Sequence, residues 1–293
     1  MISSARASLT LAILVATLCA SCMRAGSPPA ISRRQHAPRP DSATVALWHM
    51  DERGGTRVAD SGPWRMDGTA GVAARMRFGR FDNAREFERS LDSFIHVPYD
   101  PMMETRPSFT VEAWLFPRAF GRHEDTPIAG RWSEEVNHQS WLFALGGRQL
   151  SPSPTRPPGP GYHLALFPQI TPGHLLFAYQ PAAAGAPQSF RSSQPLELDR
   201  WTHIAVAFDG EVVRFYIDGL LDSQYAATGG IRRSPAALLI GNYVDIRRLS
   251  RFGGDLRLDP SGDSNAYYAF EGLIDELRIS SSAREAFPTI AQP

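Results

Sequence analysis

RWTHIAVAFDGEVVRFYIDGLLDS, residues 200–223, contains Asp-Gly twice, at 209–210 and at 218–219. Around these pairs the residues alternate. Thr202, Ile204, Val206 and Phe208 fall on one face of an extended chain, and Trp201, His203, Ala205 and Ala207 on the other. In the next run Val213, Phe215 and Ile217 share a face, with Arg214, Tyr216 and Asp218 opposite. Apolar period-two runs separated by Asp-Gly signal hairpins, because the tight turns that match strand twist need positive φ. The stretch reads as an antiparallel meander, and its Asp-Gly pairs read as turns before any chemistry.

The same text extends outward from Thr44 to about Ser282. Strands are expected at 44–50, 84–88, 93–98, 108–117, 140–146, 162–168, 174–180, 202–209, 212–218, 237–243 and 272–280. No amphipathic helix of ordinary length interrupts them. Many short strands with turn signals between them predict an all-β antiparallel sandwich or jelly roll. Two segments break the rhythm. Residues 146–161, GGRQLSPSPTRPPGPG, are too proline-rich for a central strand. Residues 245–267 form a long insertion, of a length often functional in compact domains.

Lys plus Arg equals Asp plus Glu, at 30 each in 293 residues. A neutral balance gives no reason to expect a nucleic-acid partner, which needs a basic face. Arg6 precedes an apolar run, Leu9–Leu18, and CASC at 19–22 follows, the pattern of a secretory signal. A run of ten residues is too short for a mature membrane span. Ala20, Ser21 and Cys22 resemble the end of a bacterial lipoprotein signal, although Cys19 stands where that pattern prefers Leu; ordinary cleavage near the same bond is the alternative. The expected organisation is a signal at 1–22, a Pro/Ser/Ala/Arg-rich tether at 23–43, one domain at 44–282 and a tail at 283–293. Both cysteines lie in the signal, so the folded part has no disulfide, thiol nucleophile or Cys-ligated zinc.

The order of blocks resembles the laminin G-like jelly roll of the concanavalin A-like lectin/glucanase superfamily in its bacterial secreted form. The blocks are LWHMDERGGTRVADSGPWRMDGT (47–69), FGRFDNAREFERSLDSFIHVP (78–98), SFTVEAWLFP (108–117), the meander, LLIGNY (238–243) and FEGLIDELRIS (270–280). The resemblance implies two packed antiparallel sheets, with the N- and C-terminal segments as neighbouring strands and Trp114 and Trp201 in the core. It does not fix a function, because the fold hosts lectins, glycosidases and adhesion domains.

Retaining glucanases of this superfamily place paired carboxyls on one strand face, about 5 Å apart. Here FTVEAWLF offers Glu112 alone, and Asp275 and Glu276 are adjacent, so regular alternation would point them to opposite faces. Histidines stand singly on strands and loops. The expectation is therefore a module without catalysis. The resemblance also implies a structural Ca2+ where the terminal strands meet, with Asp60, Asp275 and Asp51 as side-chain candidates among the six to eight oxygens that such an ion takes. DPSGDSN (259–265) has alternating Asp259, Ser261, Asp263 and Asn265, but lacks the loop glycine and closing acid of a calcium loop. Sugar sites stack exposed aromatics, so Trp64, Trp132, Tyr243 and Tyr267 are the ligand-binding candidates, with Arg131, Asn137 and Asn242 near some of them.

Three functions stay open at this point: a cell-envelope module that binds a glycan, the same fold as a protein-protein adhesion module, and a divergent hydrolase. The anchor makes its own prediction. If Cys22 becomes an acylated N-terminus with more than one chain, membrane attachment is stable, whereas one chain is marginal. Met23 after the cysteine favours the outer membrane in a double-membraned cell. Cys22→Ser should move the protein from the membrane to the soluble fraction; unchanged fractionation rejects the lipoprotein assignment.

Overall fold

The computed structural model describes residues 37–104, 107–121, 125–133, 137–148, 166–167, 171–259 and 268–287. Cys22 and Tyr267, the expected strand at 162–168 apart from 166–167, and most of 146–161 and 259–265 lie outside the described residues. The described residues belong to one compact unit. Its first strands are β1 (Thr44–Trp48), β2 (Arg57–Val58), β3 (Gly68–Ala70), β4 (Arg75–Phe78), β5 (Asn83–Phe87), β6 (Ile95–Val97), β7 (Phe109–Ala119), β8 (Thr126–Trp132) and β9 (Gln139–Leu145). Then come β10 (His174–Tyr179), β11 (Gln188–Pro195), β12 (Thr202–Phe208), β13 (Val212–Ile217), β14 (Leu220–Ala226), β15 (Leu238–Ile240), β16 (Leu249–Phe252), β17 (Asp255–Leu258) and β18 (Glu271–Ser280).

Two eight-stranded antiparallel sheets hold these strands, as expected for a jelly-roll sandwich. One runs β14-β13-β12-β7-β18-β5-β4, with β1 also on β18; the other runs β11-β10-β9-β8-β15-β6-β3-β2. The long insertion contains a hairpin of its own, β16-β17. Its sequence is rich in Arg, Gly and Asp and alternates weakly, which hid it.

The meander supplies three strands of the first sheet. Asp218 (φ 51°) and Gly219 (φ 80°) are the two residues between β13 and β14, the left-handed pair that a tight hairpin needs. At the other turn the Asp209 carboxylate accepts from the amides of Glu211 and Val212. Ile204, Val206, Phe208, Val213 and Phe215 enter the main core, as their alternation predicts. The opposite face is buried as well, because Ala283 and Phe287 of the C-terminal segment cover Ala205, Ala207 and Tyr216. Trp114 is buried on that second face, under Arg80 and Phe81. Trp201 is not core. It precedes β12, is half-buried and packs against Phe116.

The terminal segments do pair: Thr44 lies opposite Ser280 and Trp48 opposite Leu277. β18 then bulges against β7 between Asp275 and Arg278, with Glu276 at φ 53°. The bulge breaks the alternation on which the opposite-face expectation for Asp275 and Glu276 rested, and both side chains are buried.

Asp60, a candidate metal ligand by sequence, has a different task. Its carboxylate accepts from Leu47 N at 2.8 Å, Gly62 N at 2.7 Å and Met66 N at 2.8 Å, tying the 61–67 loop to β1. Trp48 Nε1 donates to Met66 O across the same bracket. Asp60→Asn turns an amide NH2 against a backbone N–H and leaves a buried donor unpaired. The expected loss is about 2 kcal/mol or more. That amounts to roughly 4–8 °C in Tm for a domain of this size, read by thermal melting of the purified variant.

Candidate functional site

Two places concentrate chemistry, the terminal-strand junction and a cleft at one end of the second sheet. At the junction, one donor atom from each of His49, Asp51 and Glu276 lies within 4.8 Å of the others. The end of β1 delivers His49 and Asp51, and the β18 bulge delivers Glu276. His49 Nδ1 and Glu276 Oε2 are 2.6 Å apart. Asn83 N donates to Asp51, and the amides of Arg80 and Phe81 donate to one oxygen of Asp275. The 79–82 turn wraps so closely that a Cβ on Gly79 would sit 2.4 Å from Asn83 O and 2.6 Å from Asp275 Oδ2. Asp275 Oδ1 and Glu276 Oε1 are buried without a hydrogen-bond partner.

The charges here oppose one another. Burial pushes Asp275 up to about 8; the Phe81 and Arg80 amides resist, and Glu276 and Asp51 add to the rise. Burial also raises Glu276, against the pull of His49, and raises Asp51, against the Asn83 amide. Glu276 raises His49 in turn, against burial. Buried carboxyls with spare oxygens, crowded by like charge, fit a hard divalent cation. Of the sequence candidates, Asp51 belongs to this cluster, Asp275 adjoins it and Asp60 does not. Glu276 and His49 were missed. Glu276 was set aside on an alternation that the bulge removes, and His49 carries no local signal.

Glu112 shows the contrary case. It is buried in the same sheet, yet His203 Nε2 lies 3.1 Å away, Arg278 2.7 Å and Arg284 3.7 Å. Burial works against its charge, but His203 and Arg278 outweigh burial and hold it below the usual carboxylate range.

The cleft has a volume of about 650 Å3 and is lined by Tyr99, Pro101, Met102, Glu104, Arg233, Ser234 and Pro235. Strand register builds it. Val97 pairs with Leu238, so the segment after β6 and the segment before β15 meet at one sheet end. Beneath them Arg131 is wholly buried and donates to Met103 O at 2.7 Å, Ala236 O at 3.2 Å and Ser234 O. It also reaches Glu104 at 3.3 Å, and its guanidinium sits 5.5 Å from the Tyr99 ring. Tyr99 is 40% exposed, and its hydroxyl donates to Glu104 Oε1. An accessible ring flanked by polar groups suits a small polar ligand with an apolar face.

The sequence-predicted aromatics do not line this cleft. Trp64 is 50% exposed on the 61–67 loop. Trp132 is half-buried against the Leu142 and Phe167 cluster. Tyr243 packs edge-on against Tyr268. Register places Trp132 and Tyr243 at opposite ends of the β8-β15 pair. Tyr99 was missed because a single Tyr before Asp-Pro carries no signature.

A family model of the laminin G type, described as the concanavalin A-like lectin/glucanases superfamily, matches residues 90–286. The chain belongs to this superfamily. No curated protein is similar to the sequence at a significant level. Solved structures share the superfamily architecture at low identity. The binding domain of Paraclostridial Mosquitocidal Protein 1 has a TM-score of 0.55 at 12% identity, covering 83% of this chain and 49% of its own. Domain 4 of AbnA, an extracellular arabinanase from Geobacillus stearothermophilus in complex with arabinotriose, has a TM-score of 0.52 at 18% identity, covering 84% of this chain and 95% of its own. A botulinum neurotoxin type C structure, described as dependent on two ganglioside molecules for cell entry, has a TM-score of 0.51 at 11% identity, covering 83% of this chain and 48% of its own. The chain thus spans about half the length of the toxin chains it matches.

The junction makes a pH prediction. Its raised carboxyls keep protons that the unfolded chain releases near pH 4. Their contribution to stability is therefore greatest below that range and falls as pH rises toward 8. His49 acts in the same direction, since its stabilising charge is lost as pH rises through its raised pKa. In chelator, Tm should fall between pH 5 and pH 8, and Asp275→Asn, which mimics the neutral acid, should remove part of the fall. Half-buried His96, whose pKa is lowered by burial, works in the opposite direction, so the assignment is contradicted if Asp275→Asn leaves the pH dependence of Tm unchanged.

Proposed function

We propose that this protein is a non-catalytic carbohydrate-binding module of the cell envelope, held at a membrane through lipidated Cys22. The observation that carries the reading is the cleft, where the Tyr99 ring is accessible beside Glu104, Arg233 and Ser234. Sugars present C–H faces to aromatic rings and hydroxyls to such polar groups. The arabinanase domain with bound arabinotriose and the ganglioside-dependent toxin support the reading, since both use this architecture in proteins that meet glycans. The state of Glu112 supports the absence of catalysis, because its carboxylate is buried and occupied by His203 and Arg278. A glycan array on the purified protein tests the reading. Tyr99→Ala should weaken every hit at least tenfold, a loss of about 1.4 kcal/mol. An empty array, with a protein partner captured in its place, would favour the adhesion alternative.

The junction completes the proposal with a structural Ca2+ on Asp51, Asp275 and Glu276, in which His49 orients Glu276 from outside. The ion would neutralise the crowded carboxyls and fasten the chain ends. Saturation to a hundredfold over Kd stabilises the fold by about 2.7 kcal/mol, or roughly 5 °C or more in Tm. Melts in Ca2+ and in chelator check this, together with elemental analysis. Equal midpoints with no bound metal would remove the ion, and a shift that survives Asp275→Asn with Glu276→Gln would place it elsewhere.

A further inference from the structure

Charge in the cleft points to a narrower class of ligand. Glu104 has its charge met from below by the buried Arg131 at 3.3 Å and from the side by the Tyr99 hydroxyl at 3.1 Å. Its other oxygen, Oε2, is buried and accepts no hydrogen bond. On the facing wall Arg233 is exposed and lines the cleft, and among the described residues it makes no ion pair or hydrogen bond. Glu104 is thus met by Arg131, and of the residues that line the cleft Arg233 supplies the positive charge, beside an aromatic ring.

A guanidinium is a planar fork whose parallel N–H groups match the two oxygens of a carboxylate. In a site that also excludes some water, such a pair is stronger and more directional than a hydrogen bond to a neutral hydroxyl. We infer that the cleft selects an acidic saccharide, one whose sugar bears a carboxylate. Arg233 takes the carboxylate and the Tyr99 ring takes the C–H face. This inference rests on the glycan-binding reading and narrows it to a ligand class.

The test is titration calorimetry of the full chain with two matched pairs of probes: sialyllactose against lactose, and trigalacturonate against its methyl ester. At least one acidic probe should bind tenfold or more tightly than its neutral partner, with the preference weakening as salt rises. Arg233→Gln should bring the acidic probe down to the neutral level and leave Tm unchanged, because Arg233 is exposed. Tyr99→Ala should weaken both members of the pair. If acidic and neutral probes bind equally, or if Arg233→Gln keeps the preference, the inference is overturned while glycan binding stands. If no saccharide binds here or on the array, the parent reading fails and takes this one with it.

Discussion

The pairing of β1 with β18 is the contact on which the rest of the molecule depends. It joins the first strand of the domain to the last, Thr44 against Ser280 and Trp48 against Leu277. β18 also lies between β7 and β5, so the chain end is a central strand and not an edge. Losing it would split the first sheet and expose Trp48, which is wholly buried. Closing so long a loop is costly in chain entropy, though the cost grows only slowly with length. The Asp60 bracket offsets part of it by fixing the 61–67 loop onto β1 through three backbone amides.

The same sheet shows two ways of burying a carboxylate. Around Glu112 the neighbours are His203, Arg278 and Arg284, so its charge is stable and its oxygens are occupied. Around Asp275 the neighbours are two amides and two further acids, and Glu276 and Asp51 add to the rise that burial imposes on it. An isolated buried charge is expensive, so such a group keeps its proton or finds a cation. The contrast separates a closed structural network from a cluster with spare binding capacity.

Arg131 plays the corresponding part at the cleft. A wholly buried guanidinium needs its donors satisfied, and the carbonyls of Met103, Ser234 and Ala236 supply them from both walls. The walls are therefore held at a set separation, and Tyr99 and Glu104 are positioned from underneath. The sequence reading placed Arg131 near the candidate loops. Its position as a strut came from β8 running beneath two segments separated by about 130 residues.

Period-two alternation and Asp-Gly turns determined the all-β class, the meander and most of the long strands, since these depend on neighbours within ten residues. The resemblance of ordered blocks added the two-sheet architecture and the meeting of chain ends. β8 and β11 escaped because the residues of TPIAGRW and QSFRSSQP do not alternate in polarity, and β16-β17 because charged residues and glycines break its pattern. Asp51 and Asp275 were legible as acids near the junction, whereas Asp60 has an equally suitable side chain and spends it on backbone amides. Glu276 joined them through a bulge with a non-glycine residue at positive φ, which no residue type announces. Tyr99 and Arg233 meet only because Val97 pairs with Leu238. Local pattern sets where a chain extends and turns; strand register, which arises from the packing of distant segments, decides which side chains share a site.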